Sequence, residues 1–100
     1  MPGDLPMSHL VMCSRKSGRE VTHIGGGTAG QPWLISVEAA IAGIESGTWI
    51  FYVTVSGRVG QLMVSRKPDG GRLLKTRFDR DEPGSLMSLP DCPPGWARLW

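Results

Sequence analysis

Ser36-Val37-Glu38-Ala39-Ala40-Ile41-Ala42-Gly43-Ile44-Glu45-Ser46-Gly47-Thr48-Trp49-Ile50-Phe51-Tyr52-Val53-Thr54-Val55-Ser56-Gly57 carries two hydrophobic periods in succession, and the change between them decides the fold. Pro32 bars a helix from extending backwards, Ser36 suits an N-cap, and Gly47 suits the left-handed stop. Between the caps Val37, Ile41 and Ile44, with Ala40, make one apolar stripe. Glu38 sits in the first turn, where the helix dipole favours a carboxylate. After Gly47 the pattern alternates, and Trp49 to Val55 is aromatic and β-branched, which reads as a strand. Ser56-Gly57 closes it into a hairpin that sets Val55 opposite Arg58, Val53 opposite Gly60, Phe51 opposite Leu62 and Trp49 opposite Val64. One face of this ribbon is apolar and takes the helix. The other carries Thr54/Val59, Tyr52/Gln61 and Ile50/Met63, too mixed a set for a deep core.

Towards the C-terminus, Pro68-Asp69-Gly70 signals a type I turn closed by a left-handed glycine. A three-residue loop there sets Val64 opposite Leu74, Leu62 opposite Thr76 and Gly60 opposite Phe78, whose ring covers the bare glycine backbone. A four-residue loop would bury Lys75 against Val64. Asp79 to Gly84 is a polar loop, and Ser85 to Pro90 offers a helical turn at the core's edge. Towards the N-terminus, Leu10–Ser14 and Val21–Ile24 form a hairpin about Ser17-Gly18, with Val11 opposite Ile24, Cys13 opposite Thr22 and Arg15 opposite Glu20. The expected class is α+β, a small antiparallel sheet with one helix packed on one face, in the order ββαβββ. Residues 1–8 form an arm, 9–92 the domain and 93–100 a tail.

Gly25-Gly26-Gly27-Thr28-Ala29-Gly30 matches the spacing G-x-G-x-x-G. Phosphate binding by such a turn needs a helix starting at the glycines, whereas Gln31-Pro32-Trp33-Leu34-Ile35 intervenes, so the stretch reads as a flexible connector. A chain of 100 residues that is 40% hydrophobic supports one core and is too short for a doubly wound sheet. A net charge of +2 does not by itself mark a polyanion binder. No apolar run approaches the roughly 20 residues of a membrane span, and Met1-Pro2-Gly3-Asp4 lacks the features of a signal peptide. The expectation is a soluble, cytoplasmic protein with Cys13 and Cys92 as free thiols, no cofactor and no membrane partner.

Three constellations bear on function. Cys13, His23 and Cys92 are zinc-type ligands, but a structural site needs four, His9 would have to join them, and no closely spaced pair pins two of them together; no metal site is assigned. A cysteine nucleophile activated by His23 lacks any spacing that brings base and thiol into reach, and Glu38 and Glu45 stand two helical turns apart. The third is a basic stretch: Arg58, Arg66, Lys67, Arg72, Lys75, Arg77 and Arg80 against Asp69 and Asp79. In the expected register Tyr52, Gln61 and Arg77 form one row across the outer sheet face, with Ile50, Met63 and Lys75 beside it. Such a face suits a protein partner or a second copy, and alternatively a base stacked on Tyr52 with cations at phosphates.

Thr22-His23-Ile24-Gly25-Gly26, Trp33, Ala40-Ile41, Ile44-Glu45, Gly47, Phe51-Tyr52-Val53, Gly57, Leu74-Lys75-Thr76 and Leu86-Met87-Ser88-Leu89-Pro90-Asp91-Cys92 together resemble a small bacterial and phage family, domain of unknown function 3892. The resemblance spans Leu10 to Cys92. It departs in a longer Gly27 to Gln31 stretch and in Gly84-Ser85, where an Asp-Asn pair is more typical. It supports the domain bounds and implies no activity. The reading is therefore a non-catalytic binding module that engages a protein partner or itself through Tyr52, Gln61, Met63, Lys75 and Arg77. His23, Gly25, Gly26 and Trp33 are loop candidates, nucleic acid is the alternative ligand, and a cysteine/histidine metal or enzyme site ranks last.

Overall fold

The expected helix forms as α1 (Val37–Glu45), with the Ser36 side chain accepting the Ala39 N–H at 3.1 Å and Gly47 left-handed at φ +79°. These coordinates are a computed structural model that describes residues 7–18, 20–28, 31–79 and 84–96. Around α1 run β1 (Met7–Ser17), β2 (Glu20–Thr28), β3 (Gln31–Ser36), β4 (Trp49–Val55), β5 (Arg58–Gln61), β6 (Met63–Arg66), β7 (Arg72–Lys75) and a short α2 (Gly84–Met87). Gly43 weakens a helix interior intrinsically, but a Cβ there would lie 2.0 Å from the Trp49 ring, so the bare helix surface is what lets the indole pack.

The central hairpin follows the sequence reading. Ser56 and Gly57 both have positive φ, as a two-residue turn matched to strand twist requires, and Val55 pairs Arg58 while Val53 pairs Gly60. The second turn also holds, with Gly70 at φ +90° and Val64 opposite Leu74. Phe78 covers Gly60, its ring 3.0 Å from where a Cβ would stand. Pairing with β4 ends at Gln61, although the Leu62 N–H still donates to the Phe51 carbonyl at 2.8 Å. Beyond it β6 and β7 form a separate two-stranded ladder that packs on α1, so Val64 does not oppose Trp49.

The α+β class holds, with seven strands in place of the expected five and a mixed sheet in place of an antiparallel one. The five-stranded order is β3-β2-β1-β4-β5, and β1 runs parallel to β4 from Met7 opposite Trp49 to Leu10 opposite Tyr52. The supposed connector is sheet: β2 continues to Thr28, and β3 pairs with it from Thr28/Gln31 to His23/Ser36. Trp33, Leu34 and Ile35 are all buried, and Pro32 is tolerated because β3 is an edge strand. The first hairpin also differs in register. Gly18 at φ +60° opens the turn between Ser17 and Glu20, and two irregularities along β1 then set Cys13 opposite Gly25 and Arg15 opposite His23.

The cysteines are not free thiols. Cys13 and Cys92 form a disulfide, and the C-terminal segment is fastened to β1 at several further points. Ser14 N–H donates to the Pro90 carbonyl, Cys92 N–H to that of Ser14, and Lys16 Nζ reaches the Leu89 carbonyl and Asp91. The core itself lies between α1 and the sheet, filled by Phe51, Val53, Ile24, Ile35, Val11 and Trp33, and closed by Leu62, Leu74 and Leu86.

Candidate functional site

Alternation along β4 sends Phe51 and Val53 into the core and leaves Tyr52 on the far side of the sheet. There Tyr52 pairs with Gln61, and these two line one shallow groove with Val59, Met63 and Arg77. Lys75 stands opposite Met63 and is half-buried. Four of the five outer-face residues singled out from the sequence thus share one surface depression, and the fifth adjoins it through Met63.

The parallel β1–β4 pairing adds residues that the sequence reading did not place there. Leu10 is the register partner of Tyr52, and Met12 lies beyond it on β1, whereas Val11 between them is buried. The large apolar side chains that stand exposed among the described residues are Leu10 at 48%, Met12 at 51%, Val59 at 60% and Met63 at 41%; Leu10, Val59 and Met63 belong to this face, and Met12 follows along β1 at the irregularity between Val11 and Cys13. No local pattern could have found Leu10 and Met12, because their role follows from strand contacts made across forty residues of chain. The rest of the face is covered. Cys13 and Leu34 are buried beneath Cys92, with Trp96 packed on them, so the disulfide-held segment roofs the β1–β3 end.

Other candidates take different places. His23, Gly25, Gly26 and Trp33 lie in paired strands rather than a loop, which corrects the loop assignment. Gly25 is bare because a Cβ would meet Cys13 Sγ at 2.9 Å and Cys92 Sγ at 3.0 Å, and Gly26 because it would meet the Leu10 carbonyl at 2.4 Å and the Trp33 ring at 2.8 Å. Those glycines serve close packing. Trp33 is buried edge-on to His9, and burial holds the His9 imidazole below its ordinary range. His23 Nδ1 lies 3.0 Å from Thr22 Oγ1. Among the described residues no group of three His, Cys, Asp or Glu side chains gathers as metal ligands. Arg80 of the basic stretch lies outside the described residues.

A larger cleft of about 840 Å³ opens between β2, the start of α1 and the β6–β7 turn. Its floor, Ile41, Leu74 and Leu86, is core already packed against itself, and its rim cations are engaged: Lys67 with Glu20 at 3.9 Å, and Arg72 with Glu45. The cleft is the mouth of the core, whereas the outer face presents apolar surface with nothing packed over it among the described residues.

Residues 10–90 match the family described as "Protein of unknown function (DUF3892)". The chain belongs to the DUF3892 family. The match takes in α1 and all of β2 to β7, so the groove residues Tyr52, Val59, Gln61, Met63 and Arg77 lie on the DUF3892 domain. No curated protein and no solved structure matches the chain. No helix of this DUF3892 domain is long and apolar enough, among the described residues, to cross a membrane.

Proposed function

We propose that the domain is a non-catalytic binding module that docks a protein through the half of its outer sheet face over which no described residue packs. The observation that carries this reading is the gathering of Leu10, Val59 and Met63 around Tyr52 on one face, with Met12 exposed further along β1, while the opposite face is buried under α1. Contiguous exposed apolar surface rimmed by polar groups is characteristic of interaction sites, whereas isolated exposed apolar residues need no explanation. Catalysis would require a nucleophile, a base and oxyanion donors in mutual reach. The groove offers Tyr52, Gln61 and Arg77, which suit recognition.

Nucleic acid is the second reading, from the basic stretch Arg58 to Arg80. Against it, Lys67 and Arg72 are already paired with carboxylates and Tyr52 is the one aromatic of the groove. The reading also takes the Cys13–Cys92 bond as the border of the binding face, which favours a setting more oxidising than the cytoplasm expected from the sequence. The test is capture by the immobilised domain from nuclease-treated lysate, comparing the native chain with Tyr52→Ala/Arg77→Ala. Loss of a stoichiometric protein partner in the variant supports docking at this face. Loss of all capture on nuclease treatment favours nucleic acid, and equal capture by both chains places the site elsewhere.

A further inference from the structure

We infer that the outer-face groove takes an acidic, apolar peptide segment rather than a second copy of this chain, an inference that rests on the protein-docking reading of the face. The groove, about 410 Å³, has an apolar floor in Val59, Met63 and the Tyr52 ring and a cation, Arg77, in its wall. The Arg77 guanidinium lies 5.1 Å from the centre of the Phe78 ring, and Arg58 lies 4.4 Å from the same ring. Phe78 is itself seated against Gly60 and so gives both guanidiniums a fixed support. Arginines held on an aromatic face lose less freedom when they bind an anion, and their fork geometry suits a carboxylate.

No carboxylate among the described residues lines this groove. Among the described residues Glu20, Glu45 and Asp91 pair with Lys67, Arg72 and Lys16, and Asp79 is occupied by Thr76 and Ser85. None of these carboxylates lines the groove, and neither Arg58 nor Arg77 has a carboxylate partner among the described residues. Two copies placed face to face would therefore bring apolar patches together with Arg77 on both sides and no carboxylate among the described groove residues to meet it, and unmatched like charge disfavours association. A segment alternating carboxylates with apolar side chains satisfies both parts. Its acids meet Arg77, and its apolar groups lie on Val59, Met63 and Tyr52, where the flexible Met63 can adapt to their shape.

The experiment titrates the full chain into labelled short peptides that alternate leucine with glutamate, glutamine or lysine, and into an oligothymidine, reading anisotropy. The glutamate peptide should bind at least about 10-fold tighter than the other two peptides and than the oligothymidine. Arg77→Glu should reverse the order of glutamate and lysine peptides, and Arg77→Lys should retain part of the affinity. Melting curves confirm that each variant is folded, and Arg77→Met replaces Arg77→Glu if that variant is not. Equal binding of glutamine and glutamate peptides, dependent on Tyr52 and Met63, overturns the acidic specificity while the docking reading stands. Tighter binding of the oligothymidine overturns both. Binding of no peptide, or concentration-dependent dimerisation abolished by Tyr52→Ala, overturns the inference in favour of a different occupant.

Discussion

Asp79 holds together two pieces of chain that would otherwise have no reason to meet. Its carboxylate accepts from Thr76 N–H and Oγ1 on one side and from Ser85 N–H and Oγ on the other, with the two main-chain bonds at 2.9 Å each. Thr76 and Ser85 are buried, so Asp79→Ala should strand their donors and cost about 2–4 kcal/mol in urea unfolding, with Asp79→Asn losing less. Sequence reading put Asp79 in a polar loop, because a run of charges looks solvated and nothing local reveals the donors it faces. The same blindness affected Cys13 and Cys92. They are 79 residues apart, and their pairing depends on the roofing segment returning to β1. Reduction should lower stability by about 2–5 kcal/mol, read by melting with and without reductant, and intact-mass counting of free thiols before reduction should find none. His9 adds a pH dependence. Burial lowers its folded pKa, so the unfolded chain binds more protons once pH falls below the ordinary imidazole value. Stability should therefore decline from near neutrality until pH passes below the folded pKa, and His9→Gln should flatten that part of the urea-stability profile.

Elements whose signals are local were read correctly: α1 through its caps and stripe, and the β4–β5 and β6–β7 hairpins through their turn residues. Failures came where pairing partners lie far apart or where composition misleads. Three consecutive glycines look like a flexible connector, yet in β2 Gly25 and Gly26 let the Cys13–Cys92 bond and the Trp33 ring approach the backbone. The parallel contact of β1 with β4 has no local signature at all, since a strand carries the same alternation whatever its neighbour. Gly43 offers a test of the packing of α1. On propensity alone Gly43→Ala would stabilise a helix by about 0.5–1 kcal/mol. Here the added methyl collides with Trp49, and the substitution should instead destabilise by about 1–3 kcal/mol, measured by thermal or chemical melting.

Over the whole molecule the two faces of the sheet have different fates. One is closed by α1, with the β6–β7 hairpin packed on that helix in turn. The other is roofed at one end by the disulfide-held segment and, among the described residues, left open over β4, β5 and the start of β1. The Tyr52, Gln61, Met63 and Arg77 part of the open area was legible from the hairpin registers, while Leu10 and Met12 required the fold itself. If the open half is a docking surface, its apolar residues do little for folding and much for binding. Capture of the partner by a chain carrying Leu10→Ser, Met12→Ser, Val59→Thr and Met63→Gln, with its melting temperature recorded alongside, tests this most directly. The expected result is a melting temperature within a few degrees of the native chain and loss of capture. Capture at the native level by this stably folded variant would contradict the assignment.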